Sequence, residues 1–157
     1  MRIDTLLDTL ADAIASNATL SAWATTTYGK AHKVFINMDQ HAPPEASDAP
    51  FVVIYKQSKT EGQGVDPRSH GIGVRCAVND STKATPTHTN QTEYNGGSRL
   101  ETMRRYTRNA VTGASMGNCT VDSIATEYGP LENFPWFVCD MSITILEDAL
   151  IGVDPFE

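Results

Sequence analysis

The chain opens on a helical stripe. Ile3, Leu6, Leu7, Leu10 and Ile14 fall within about 100° on a helical wheel, the period of a helix laid against a core. Asp4, Asp8 and Asp12 lie opposite and read as a solvated face, because the row lacks the mixed ligands and loop geometry that calcium requires. A second apolar patch around Leu20 and Trp23 continues as a short helix before Gly29. Residues 34–36 predict a short strand, the His-Ala-Pro-Pro run at 41–44 breaks the chain, and the stretch up to Pro50 is loop.

Residues 51–55 (Phe-Val-Val-Ile-Tyr) are apolar on both faces and rich in β-branched and aromatic side chains, the pattern of a central strand. A Gly-bearing polar connection at 61–67 reads as a long hairpin tip. The next strand points Ile72, Val74, Cys76 and Val78 one way and Gly73, Arg75 and Ala77 the other. Residues 79–97 are polar and aperiodic, a length of loop that is uncommon in a compact fold unless it serves a function or is disordered. They are expected to order only against a neighbour.

Ser98 and Glu101 have capping-box spacing, which predicts a helix starting there. Its stripe is Leu100, Met103, Thr107, Ala110 and Val111, and Gly113 is its stop. Two alternating strands follow, at 119–128 and 136–146; the second carries Phe137, Cys139, Met141, Ile143 and Ile145 on one face. Helix, two or three strands, helix and two strands define an α+β fold. The expectation is a mostly antiparallel or mixed sheet of four to five strands, flanked by the N-terminal helix and a second helix near 98–112. Residues 1–157 are expected to form a single domain with long polar loops at about 58–70 and 79–97, and a short acidic tail from Gly152.

Composition narrows the function. A length of 157 residues suits one domain with a core that needs neither disulfides nor metal. The longest unbroken apolar run, 51–55, is far short of a membrane span, and acids through the first fifteen residues argue against a secretory signal. The net charge of −7 disfavours general nucleic-acid binding. Three widely spaced cysteines match neither a disulfide framework nor a zinc ribbon, and Cys76 and Cys139 read as core thiols.

The chemical motifs are weak. Gly113-Ala-Ser115-Met-Gly117 has the G-x-S-x-G spacing of a hydrolase elbow, but it follows a helix, precedes a strand and has all four histidines upstream of it. It reads as a helix-end turn. His32, His41, His70 and His88 are scattered, without ligand partners one helical turn away, and read as solvent-exposed. No catalytic, cofactor-binding or metal-ligating residue is assigned, and no cofactor is expected. The charge anomaly is Arg99, Arg104, Arg105 and Arg108, four of twelve bases within ten residues. The plain reading is a solvated helix face partly neutralised by Glu101. The sharper one makes Arg104, Arg105 and Arg108 a protein interface, since the guanidinium fork suits carboxylates on another subunit. A nucleic-acid patch comes third in so acidic a chain.

The N-terminal amphipathic helix, the Pro-containing loop into Ala49-Pro-Phe-Val-Val-Ile-Tyr-Lys56, and the hairpin to His70-Gly-Ile-Gly-Val-Arg-Cys76 form one layout with the second helix and the closing Trp136-Phe-Val-Cys-Asp-Met-Ser-Ile-Thr-Ile145. That layout resembles the tail terminator (tail completion) proteins of long-tailed bacteriophages, from about Ile3 to Leu146, with 79–97 as a departure. The resemblance implies a non-enzymatic virion protein: a ring, hexameric in that family, that caps the tail tube and gives the head's connector a docking surface. The implied partners are further copies of the chain, the tail tube protein and the head–tail connector, with no membrane. DNA would pass through the channel without specific binding, helped by acidic walls. The location would be the head-proximal end of the virion tail, after assembly in the host cytoplasm. A head–tail connector or neck subunit is the alternative within virion assembly; a small enzyme or ligand-binding domain is the alternative from another class.

Overall fold

The computed structural model describes residues 1–39, 41–62 and 68–148. Two helices come first, α1 (Ile3–Ala15) and α2 (Ala18–Tyr28). Strand β1 (Lys33–Ile36) follows, then β2 (Phe51–Thr60), β3 (Arg68–Asn79), helix α3 (Asn95–Thr112), β4 (Cys119–Tyr128) and β5 (Trp136–Glu147). The strands make one five-stranded sheet in the order β1-β2-β3-β5-β4. Only β1 and β2 run parallel; the other pairs are antiparallel, so the sheet is mixed and the fold is α+β.

The apolar stripes account for the packing. On α1, Leu6, Leu7, Leu10, Ala11 and Ile14 are buried, while Asp4, Asp8 and Asp12 are exposed. Asp4 nonetheless pairs with Lys56 of β2, so that acidic face is tied to the sheet at one point. Helix α1 lies over β1 and β2, α3 lies over β3 and β5, and the two helices touch. Beneath them Val52, Ile54, Ile72, Val74, Cys76, Val78, Cys139, Met141, Ile143 and Ile145 form the main core. Burial of each large aliphatic side chain contributes about 1.5–3 kcal/mol. Helix α2 has almost no stripe; it is held by Leu20, Ala24 and Trp23, capped by the Asn17 side chain, and ends at Gly29 in the left-handed conformation.

The opposite face of the sheet has no helix among the described residues. It carries a smaller cluster of Phe51, Val53 and Ala77, with Phe35, Tyr55 and Trp136 around it. Tyr55 lies across Gly73, where a Cβ would stand 2.3 Å from the ring, so glycine is what lets that ring lie flat on the sheet. Arg75 and Asp140, directly opposed on β3 and β5, form a bidentate pair at 2.8 and 2.9 Å.

Four expectations are corrected. The strand at 51–55 extends to Thr60 through a register shift at Gln57, and its partner begins at Arg68, so residues 58–60 and 68–70 of the expected 58–70 loop are strand. The middle strand is β3; β2 is second from the edge. Helix α3 starts at Asn95, one turn before the capping-box serine. Ser98 Oγ donates to Asn95 O within the first turn, and Glu101 turns to Arg104 instead of reaching back. Gly96 permits the early start by admitting the Phe137 ring, which a Cβ would meet at 2.2 Å. The 79–97 segment is not structureless: Lys83 and Tyr94 form an antiparallel bridge, Ala84 N donates to Glu93 O, and Asn95 N donates to Thr82 O. Its own ends close the loop, leaving 85–92 as its tip. Most of the hairpin tip at 61–67, and the tail from Gly152, lie outside the described residues.

Candidate assembly surface

The four arginines of α3 have four different environments. Arg99 pairs with Asp80, a buried carboxylate at the end of β3, and stands 5.7 Å over the Tyr28 ring. Burial alone would raise the Asp80 carboxyl, but the hydroxyl and amide of Thr82 together with Arg99 outweigh it and hold the group below its usual range. Burial, with Asp80 adding to it, pushes the Tyr28 phenol up. This network pins the 79–97 segment to α2 and α3, and it is structural.

Arg104 donates twice to Glu101, at 2.8 and 2.5 Å, and the Tyr128 hydroxyl of β4 donates to the same carboxylate. The Arg104 bond first, and the Tyr128 bond second, bring the Glu101 carboxyl down to about 2. Arg104 is therefore anchored and ties α3 to the end of β4. Arg105 is exposed and stands 5.4 Å over Tyr106. Arg108 is exposed and has no carboxylate partner among the described residues.

Arg104 and Arg108 form one wall of an open groove of about 600 Å³ between α3 and β4. Its floor is apolar, built from Ala114, Met116, Val121 and Ile124, and Asp122 stands on the far rim. The groove exists because β4 is a ten-residue edge strand with a register shift at Asp122, while α3 sits over β3 and β5. One edge of β4 pairs with β5; the other is unpaired among the described residues. Long unpaired edges are templates for another chain unless they are blunted.

A second exposed feature lies where β4 turns into β5. Leu131 is 86% exposed, with Tyr128 at 59% and Phe134 at 47%. Phe134 packs edge-on against Tyr94 from the 79–97 segment, at 4.9 Å. Large apolar groups gathered at one end of a sheet are candidates for a contact surface.

The remaining candidate chemistry is structural. Gly113 caps α3 and Gly117 takes a left-handed turn, so the G-x-S-x-G match is the α3–β4 connection. His32 and His70 are buried, which corrects the expectation of exposed histidines. His32 Nε2 bonds Ile14 O at 2.9 Å, and burial lowers its pKa. His70 Nε2 lies 2.9 Å from Glu147 Oε2, an ion-pairing geometry between β3 and β5. Cys76 and Cys139 face each other across the same two strands, buried and unbridged. Among the described residues no cluster of three metal-ligating side chains occurs, and no helix is long and apolar enough to cross a membrane.

Sequence reasoning found Arg104, Arg105 and Arg108, and the fold brings Arg104 and Arg108 together on the groove while Arg105 points elsewhere, onto Tyr106. It missed β4 as the opposite wall, and it missed Tyr128 and Asp80. The available signal was the weak alternation of β4, in which Val121 and Ile124 are only half-buried.

No family model matches the sequence, and no curated protein matches it. The fold is similar to that of a chain in the solved virion of the native gene transfer agent (GTA) particle. The TM-score is 0.51 at 9% identity, over 89% of this chain and 92% of that one. At that identity the likeness is one of fold.

Proposed function

We propose that this chain is a non-enzymatic structural protein of a virion, and that within the virion it is a tail terminator. It forms a ring that caps the tail tube and presents the surface on which the head's connector docks. The observation that carries the virion assignment is the shared fold with a chain of a virion particle, extending over nearly the whole of both chains. Three features support the assembly role: a ten-residue edge strand whose outer edge is unpaired among the described residues, a groove beside it rimmed by arginine, and an exposed apolar end on the same sheet. The net charge of −7 suits a channel wall that repels phosphate and lets DNA slide. The terminator assignment, as opposed to another neck ring, rests on the layout of elements from Ile3 to Leu146. Multi-angle light scattering tests ring formation: a species near six protomers at high concentration supports it, and a monomer at every concentration contradicts it.

A further inference from the structure

Resting on that reading, we infer that the groove between α3 and β4 receives residues 149–157 of a neighbouring copy, so that the ring is joined head to tail by this segment. The groove offers an apolar floor and a basic wall next to a strand edge that is unpaired among the described residues. Residues 149–157 (Ala-Leu-Ile-Gly-Val-Asp-Pro-Phe-Glu) offer the complement: Leu150, Ile151, Val153 and Phe156 for the floor, Asp154 and Glu157 for Arg108, which has no carboxylate partner among the described residues. Extended, nine residues reach about 30 Å, more than enough to run along the 119–124 stretch of β4 that lines the groove.

The direction in which the chain leaves the sheet selects the neighbour over the same copy. Strand β5 runs antiparallel to β4 and ends opposite Cys119, the first residue of β4. Asp148 continues that path, because its N–H donates to Asn118 O and its carbonyl accepts from Asn118 Nδ2. At Asp148 the backbone is therefore heading off the start of β4, past the near end of the groove at Met116 and Cys119, and would have to reverse to run along β4 of its own copy. A subunit with a groove on one side and a leading segment on the other makes a heterologous contact, the kind that closes rings.

The test uses four forms of the chain: the full chain, a form stopped after Asp148, Arg108→Glu, and Arg108→Glu with Asp154→Arg. Sedimentation is followed at fixed concentration, with circular dichroism checking the fold of each. The stopped form and Arg108→Glu should each self-associate about 100-fold more weakly, the loss expected of an interface hot spot. Mixing the two should restore pairs, since one supplies an intact groove and the other an intact segment, and the charge-swapped double variant should regain assembly. If the stopped form assembles as the full chain does, or the mixture stays monomeric, the inference falls while the ring reading stands. It falls equally if, in the dilute monomer, stopping after Asp148 exposes the 119–128 amides to hydrogen exchange, because the segment would then occupy its own groove. A full chain that never associates overturns the ring reading, and this inference with it.

Discussion

Strands β3 and β4 differ little in length, and the sheet treats them in opposite ways. Strand β3 has a neighbour on each edge, and Ile72, Val74, Cys76 and Val78 are sealed under the helices while Gly73 and Ala77 are buried on the other face. Among the described residues strand β4 has one neighbour, a single buried residue at its start, and a half-buried strip of Val121 and Ile124 facing an open groove. The first strand uses its apolar surface to hold the fold together. The second leaves part of its surface, and one edge of its backbone, uncovered among the described residues. The arginines of α3 divide in the same way. Arg99, toward β3 and Asp80, is locked inside; Arg108, toward β4, has no carboxylate partner among the described residues.

The largest expected effect is on the β3 side. Ile72→Ala should cost about 2–5 kcal/mol of stability, through lost burial and a cavity that the surrounding strands cannot close. Chemical denaturation measures it, and a cost as small as that of Ile124→Ala would erase the distinction between the two strands. Next comes Asp80→Ala, which strips Arg99, Tyr28 and the Thr82 amide of their acceptor at once and should cost about 2–3 kcal/mol.

A smaller effect is expected from pH. Burial lowers the pKa of His32 below the ordinary value of 6.5, so the unfolded chain takes up the proton first. Stability contributed by its neutral form should be present above pH 6.5 and decline as pH falls below it. The thermal midpoint should thus drop between pH 7 and 5, with a shallower slope in His32→Gln. Equal slopes in both proteins would remove His32 from the account.

The smallest stability effect belongs to the β4 side. Arg104 and Arg108 replaced together by alanine should change stability by no more than about 1 kcal/mol, because the Arg104–Glu101 pair is partly exposed and Arg108 has no carboxylate partner among the described residues. The same variant should lose self-association, most visibly at low salt, where screening is weakest. Normal assembly combined with lost DNA affinity would shift the arginines to the nucleic-acid reading.

What was legible in the sequence follows the same divide. The stripes of α1 and α3 and the alternation of β5 announce themselves, because burial on one face imposes a period that composition displays. The start of α3 was misplaced because a capping-box spacing is a local signal, whereas the Gly96–Phe137 contact that permits an earlier start joins residues far apart in the chain. The burial of His70 was equally hidden, since its partner Glu147 is 77 residues away. The arginine cluster was visible as charge, but its division into a locked and an open half depends on Asp80, Glu101 and Tyr128, which only the fold brings near.

The central claim is that the open side of this sheet builds a ring on the end of a tail tube. Electron microscopy of the purified protein mixed with tail tubes tests it most directly. The account predicts a ring at one end of each tube, absent from tubes mixed with the Arg104 and Arg108 double variant. Bare tube ends beside a protein that remains monomeric would contradict it.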